Sequence, residues 1–297
     1  MKEAMYYEKR ENKKVKCKLC PQLCLIDPGE VGFCCARKNI DGVLFALEYG
    51  RVSSAHLDPI EKKPLYHFHP GTTIFSVGGL GCNLRCPWCQ NWSISQPKDR
   101  FPEVPIEDVI EKLTDRMTPE RVIDLAKKYS SYGCIGIAYT YNEPFIWYEY
   151  VLDTASLAKE AGLYNVLVTN GYVMEEPLQQ LLPFIDAMNI DVKGFKDSFY
   201  RRLDGHLRPV LKTAEIAKQH CHVEITNLVI PGLNDSQQDF ESLVDWIANS
   251  LGKDTPIHFS RCFPQYRTEV DPTPIETLFL AERIAKKKLG FVYLGNV

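Results

Sequence analysis

Gly81-Cys82-Asn83-Leu84-Arg85-Cys86-Pro87-Trp88-Cys89 sets three cysteines at a C-x3-C-x2-C spacing, just after the apolar, strand-like run 74–77. Three thiolates this close can ligate three irons of a cubane [4Fe-4S] cluster. The spacing is not the two-pair pattern of a zinc ribbon, and a closed structural zinc site needs a fourth ligand. A cubane held by only three cysteines leaves one iron open, and an open iron can bind a chelating molecule. This pattern is that of a reactive centre.

Downstream of it, from residue 72 onward, short β-rich runs alternate with helix-length amphipathic stretches. Strands are expected at 74–77, 135–140, 165–169, 187–192, 222–229 and 257–260, with 291–294 as a possible seventh. Helices are expected at 119–129, 145–161, 175–184, 207–219, 237–248 and 274–288. Pro119 and Pro274 stand where two of these begin, with Thr118 and Thr273 placed to cap them. A βαβα alternation predicts an α/β fold with a parallel sheet and right-handed crossovers. Ligands of such sheets bind at the carboxyl ends of the strands, and the cysteine triplet follows the first of them.

Upstream, residues 1–71 read as a separate segment, against 72–297 as the core. They hold five cysteines, little helical periodicity, and turn signals at Asp27-Pro28-Gly29, Asp41-Gly42 and His69-Pro70-Gly71. Cys17-x2-Cys20-x3-Cys24-x9-Cys34 supplies four thiolates, enough for an auxiliary iron–sulfur cluster or a tetrahedral zinc. The spacing leaves that choice open. Zinc would only staple a segment too small to bury much core, whereas a second cluster could relay electrons or bind substrate.

Composition narrows the class. Of 297 residues, 45% are hydrophobic and 25% charged, as in an ordinary globular protein. A net charge of −3 gives no electrostatic reason for binding nucleic acid or an anionic membrane. No apolar run approaches the roughly 20 residues that span a bilayer. Residues 1–18 are charged and lack the apolar core of a signal peptide. A cytoplasmic protein is expected, in which eleven cysteines read as metal ligands more readily than as disulfides.

Several strand ends carry polar motifs. The second ends in Tyr139-Thr140-Tyr141-Asn142-Glu143-Pro144, where a carboxylate and nearby carbonyls could accept from an ammonium, or Glu143 could simply cap the helix after it. The third ends in Val168-Thr169-Asn170-Gly171 and the fourth in Asp191-Val192-Lys193-Gly194. Asp191 and Lys193 share one face of a strand and could pair with each other. The fifth runs into Val229-Ile230-Pro231-Gly232-Leu233-Asn234-Asp235, a turn signature. Cys134, Cys221 and Cys262 stand singly and read as buried small hydrophobes. His258 and Arg261 could face the pocket, with a satisfied structural histidine equally open.

Taken together with Cys17-Lys18-Leu19-Cys20-Pro21-Gln22-Leu23-Cys24, Asp58-Pro59-Ile60-Glu61-Lys62-Lys63-Pro64 and Cys89-Gln90-Asn91-Trp92, these motifs resemble one family. The chain is similar to the radical S-adenosylmethionine (SAM) enzyme of the AmmeMemoRadiSam system, a relative of pyruvate formate-lyase activating enzymes. The resemblance implies a radical SAM partial (β/α)6 TIM barrel. It implies that Cys82, Cys86 and Cys89 hold the catalytic cluster and that SAM chelates its open iron. Trp88 would pack on the adenine, as would Ile230. Glu143, beside Asn142, would hold the SAM ammonium, and Thr169, Asn170, Asp191 and Lys193 would line the SAM or substrate side. An electron from flavodoxin or ferredoxin would cleave SAM to methionine and a 5′-deoxyadenosyl radical, which takes a hydrogen atom from a protein or small-molecule substrate. Proteins of the Memo and AMMECR types are expected partners, and an anaerobic or oxygen-shy cell the expected host. Two rival readings stand beside this one: an activase of a glycyl-radical enzyme, and a non-enzymatic iron–sulfur electron carrier.

Overall fold

The computed structural model describes residues 1–297. One sheet of eight strands organises the chain. Its first strand, β1 (Ser54–Pro59), runs antiparallel to β2 (Thr73–Gly78). From β2 the sheet continues in parallel, in chain order, through β3 (Cys134–Tyr139), β4 (Tyr164–Thr169), β5 (Ala187–Asp191), β6 (His222–Val229), β7 (Ile257–Arg261) and β8 (Val292–Gly295). Helices α1 (Pro119–Lys128), α2 (Tyr148–Glu160), α3 (Glu175–Leu181), α4 (Leu207–Lys218), α5 (Gln237–Trp246) and α6 (Ile275–Ala285) fill the crossovers. This is the expected partial TIM barrel. The possible seventh parallel strand is present as β8, and β1 adds an antiparallel edge that the sequence pattern did not announce.

Alternation along the strands sorts the two faces of the sheet. Val77, Ile137, Leu167, Ile190 and Ile225 join the main core with the helices. Ile74, Ala138, Val166 and Ala187 face the other way and pack on Ile60 and Leu65. The segment after β1 thus fills the inside of the sheet near its amino-terminal end. Asn189 Nδ2 donates to the Pro64 carbonyl at 2.8 Å, and Lys63 pairs with Asp58 at 2.7 Å. Tyr141 reaches down from above, its hydroxyl donating to the same Asp58 at 2.6 Å. Burial would raise the Asp58 carboxyl, but the bonds from Lys63, Tyr141 and Lys62 hold it below the usual carboxylate range. Tyr141 takes the left-handed backbone (φ 71°) that glycine more commonly supplies. His258 also belongs to this inner floor, bonded to Glu224 at 2.6 Å, so it is a satisfied structural histidine.

Two caps were expected and one forms. Thr118 accepts from the Arg121 backbone N–H at 3.3 Å. Thr273 does not cap α6, which starts after Pro274. Its hydroxyl donates to the Val229 carbonyl at 2.6 Å and accepts from the Cys262 N–H at 2.9 Å. Joining the segments that follow β6 and β7 leaves that oxygen no role at the helix start.

The first fifty residues carry two small antiparallel sheets: Lys2–Glu3, Val43–Ala46 and Arg37–Ile40 form one, and Tyr7–Lys9, Val15–Cys17 and Leu25–Ile26 the other. They are tied to the barrel by a buried ion pair. Arg37 contacts both oxygens of Glu149 on α2 at 2.6 and 2.8 Å. The same carboxylate accepts from the Met5 N–H at 2.7 Å, and Arg37 donates to the Met5 carbonyl at 2.9 Å.

Candidate active site

The cysteine loop leaves β2 at its carboxyl end and is pinned on both sides. Asn142 accepts from the Gly79 N–H at 3.0 Å and donates to the Gly81 carbonyl at 3.1 Å. Buried Glu48 accepts from the Leu80 N–H at 2.6 Å. Gly81 has φ +86°, and a Cβ there would lie 2.0 Å from the Cys34 carbonyl oxygen. Only glycine lets the loop lie against the amino-terminal segment at this point.

Glu143 gathers the ends of β3 and β4. Its carboxylate accepts from the Phe145 N–H at 3.0 Å, so it does cap the following turn. It also accepts from the Thr169 hydroxyl at 2.7 Å and the Asn170 N–H at 2.8 Å. Asn170 Nδ2 then reaches the Cys82 sulfur at 3.6 Å. Glu143, Thr169, Asn170 and Cys82 are therefore one connected network. Burial raises the Glu143 carboxyl from 4.5 to about 7 against the pull of these bonds.

On the far side, Lys193 pairs with Asp191, as the spacing allowed. Burial pushes the Cys86 thiol up to about 12, and the Lys193 ammonium is the chief charge opposing it. The backbone N–H of Ile230 donates to Asn234 at 2.6 Å, and Asn234 in turn donates to the Lys193 carbonyl at 2.7 Å. The turn after β6 is thereby fixed to the end of β5. Trp88 is buried, with its ring centroid 5.5 Å from that of Phe199. Asn142 spends its amide on the loop backbone, so any effect on a ligand passes through the loop.

These residues fit a cubane with a bound chelating amino acid. The donor set is three thiolates, and the Cys82 sulfur already accepts from the Leu84 N–H at 3.5 Å. Two buried polar atoms beside it, Trp88 Nε1 and Asp191 Oδ1, have no hydrogen-bond partner. Glu143 Oε2 carries one bond and keeps a lone pair for an ammonium.

The four amino-terminal cysteines are also brought together. Cys17, Cys20, Cys24 and Cys34 line one cavity with Arg37 and Asn83. Cys35 turns away to pack with Leu47, Leu80 and Ile106. Of the single cysteines, Cys134 and Cys262 are buried and Cys221 is partly exposed. The sequence reading passed over Arg37, Glu48 and Asn83. The first two lack any local signal, and Asn83 sits at a spacer position inside the motif.

Comparison with known proteins agrees with this geometry. The model of the radical SAM superfamily matches residues 76–247. An uncharacterised protein of Methanocaldococcus jannaschii is 47% identical over 301 aligned residues, covering 100% of this chain and 86% of the other. The pyruvate formate-lyase-activating enzyme of Clostridium pasteurianum is 25% identical over 57% of this chain and 67% of its own. In fold, a radical SAM methyltransferase from Sphaerobacter thermophilus superposes with a TM-score of 0.57 at 16% identity, over 76% of this chain and 67% of that one. The cysteine loop, the barrel that carries it and the match along that barrel lead to one conclusion: the chain belongs to the radical SAM superfamily and is an enzyme related to the pyruvate formate-lyase activating enzymes.

Proposed function

We propose that this chain is the radical SAM enzyme of an AmmeMemoRadiSam-type system, altering a protein or small molecule by hydrogen abstraction. The observation that carries the reading is the network from Glu143 through Thr169 and Asn170 to Cys82. The reading is supported because one hydrogen-bonded frame at the strand ends holds both Glu143, which would accept from the SAM amino group, and Cys82, which would ligate the cluster. Cys82, Cys86 and Cys89 would hold the [4Fe-4S] cluster, which with SAM supplies reductive cleavage to methionine and a 5′-deoxyadenosyl radical. Glu143 would accept an N–H of the SAM amino group through its free lone pair. Trp88 would pack against the adenine, with its Nε1–H left to donate, whereas Ile230 is fully buried in the core and would act only by backing the turn after β6. Lys193 puts a positive group beside the Cys86 sulfur and favours its thiolate, while the Asp191 carboxylate opposes it. Asn142 and Glu48 hold the loop in register.

A second reading, activation of a glycyl-radical enzyme, is favoured by the likeness to activating enzymes, including the (2S)-3-sulfopropanediol dehydratase activating enzyme of Klebsiella oxytoca, 28% identical over 39% of this chain. A neighbouring gene for a glycyl-radical enzyme would favour it, and one for a Memo-type protein the first reading. Memo- and AMMECR-type proteins are proposed partners, in the cytoplasm of an anaerobic cell. No helix is long and apolar enough to cross a membrane. The test is anaerobic reconstitution with iron and sulfide, then dithionite and SAM, with 5′-deoxyadenosine as the readout. Formation by the wild type and its loss in Cys82→Ala/Cys86→Ala/Cys89→Ala is expected. A fully loaded wild type that forms none would overturn the enzyme reading and favour an electron carrier.

A further inference from the structure

Cys17, Cys20, Cys24 and Cys34 line one pocket together with Leu19, Ile26 and Arg37. Two observations mark it as built for a ligand. Arg37 lines it and is only 1% exposed, yet its buried Nε–H has no partner, although the Nη atoms are taken up by Glu149 and the Met5 carbonyl. An unpaired buried N–H costs about 1–3 kcal/mol, and a sulfide or thiolate is an acceptor for it. No three metal-ligating side chains are poised around a single ion, as a preformed zinc site would hold them. A tetrahedral zinc, with Zn–S about 2.3 Å, would draw its sulfurs to within about 3.8 Å of one another. A cubane meets each sulfur with a different iron, which suits ligands spread around a cavity.

The place of this cavity gives it a role. On one side it touches the SAM-binding loop, where the Cys34 carbonyl lies against Gly81. Asn83, inside the C-x3-C spacing, lines the cavity and accepts from Asn170 Nδ2 at 2.9 Å. That same nitrogen reaches the Cys82 sulfur. On the other side Leu23 lines the cavity and is 39% exposed. It also borders a surface hollow lined by Arg10, Glu11, Lys14 and Lys16, where Arg10 pairs with Glu8 and Lys14 with Asp27 while Lys16 has no such partner, so a carrier protein with an acidic face finds a cation beside Leu23.

We propose that Cys17, Cys20, Cys24 and Cys34 hold a second [4Fe-4S] cluster that relays single electrons to the SAM-binding cluster. A ferredoxin- or flavodoxin-type protein docking near Leu23 is oxidised by one electron, and the amino-terminal cluster is reduced. That cluster then gives the electron, by way of Asn83 and Asn170, to the cluster held by Cys82, Cys86 and Cys89. No bond is made or broken and no proton moves. Four protein ligands leave no iron open, which fits transfer and not substrate binding. Only the last hop rests on the SAM-cleaving reading; the metal content does not.

The test is iron, sulfide and zinc analysis of anaerobically reconstituted protein, with electron paramagnetic resonance after reduction. The wild type should hold about eight irons, and Cys17→Ala/Cys20→Ala and Cys82→Ala/Cys86→Ala/Cys89→Ala about four each, as two separate cubanes require. The reduced wild type should show spin–spin broadening that neither variant shows. The ratio of flavodoxin-driven to dithionite-driven deoxyadenosine formation should fall in Cys17→Ala/Cys20→Ala. If that variant does not fold, iron and a reduced-cluster signal in the triple variant still decide the matter. One zinc per chain, or about four irons in all with every cysteine present, overturns the second cluster, since each cubane takes about four. An unchanged flavodoxin-to-dithionite ratio overturns the relay, whereas deoxyadenosine persisting in the triple variant strikes the SAM-cleaving reading alone.

Discussion

The two cysteine sites of this chain lie against one another and are held in opposite ways. Cys82, Cys86 and Cys89 stand at the rim of a barrel, on a loop pinned by Asn142 and Glu48 and bonded to Asn170. Cys17, Cys20, Cys24 and Cys34 stand among two- to four-residue strands and turns, fixed to the barrel by the Arg37–Glu149 pair together with Val15, Leu19 and Leu44, which join the main core. The rim site has three thiolates and neighbours with unused bonding capacity, Trp88 Nε1 and Asp191 Oδ1. The amino-terminal site has four thiolates in an enclosed cavity. A site that lacks a ligand can take a reactant, and a site with a full set can only hold or pass charge. One missing cysteine separates the two chemistries.

Four experiments break or sharpen that contrast. The largest effect is expected from Cys82→Ala/Cys86→Ala/Cys89→Ala: deoxyadenosine falls to background by chromatography while the amino-terminal site keeps its metal. Loss of metal at both sites would show that they are not separate.

Next, Glu149→Ala leaves the Arg37 guanidinium buried and unpaired. Breaking a buried pair in this way costs roughly 3–5 kcal/mol. Chemical denaturation should show that loss, with the amino-terminal metal released before the barrel unfolds. A change near zero would mean that the pair does not anchor the segment.

Glu143→Gln should weaken SAM binding by about 1.5–3 kcal/mol, the worth of a hydrogen bond to a charged group, measurable by anaerobic calorimetry. The pH dependence sharpens it. The amino group of SAM donates best to an ionised carboxylate, and burial pushes this carboxyl up to about 7. SAM affinity in the wild type should therefore fall as the pH drops through about 7, and the variant should lack this step.

The last experiment concerns stability at Glu48, where burial raises the carboxyl from 4.5 to about 8. Between those values the folded chain holds a proton that the unfolded chain has released, so stability falls as the pH rises from about 4.5 to 8. Glu48→Gln should flatten that part of the stability curve. A variant with an unchanged slope would show that Glu48 is ionised in the folded protein.

How much of this could be read in the sequence depended on how local the signal was. The rim cysteines fall within eight residues, and each strand and helix of the barrel repeats its own hydrophobic period, so both were legible. Glu143 was legible as two alternatives, cap or ammonium acceptor, and the structure shows the cap together with ties to Thr169 and Asn170. Arg37 looked like any surface arginine because Glu149, which makes it a buried anchor, lies 112 residues away. Asn83 links the two sites only because Asn170, 87 residues on, folds against it. β1 was missed because Ser-Ala-His-Leu-Asp-Pro carries its polar residues toward partners that other parts of the chain supply. Asp58 finds Lys63 and Tyr141 there. Thr273 had the spelling of a cap, and two neighbouring strands claimed its oxygen first.

The floor made by Ile60, Leu65, Lys63 and Asp58 bears on how reactants come and go. With the amino-terminal end filled and the edge strands β1 and β8 left unpaired with each other, the cysteine loop is approached from the carboxyl rim or across the unclosed side of the sheet. A bulky partner resting on the rim would leave that unclosed side as the way out for small products.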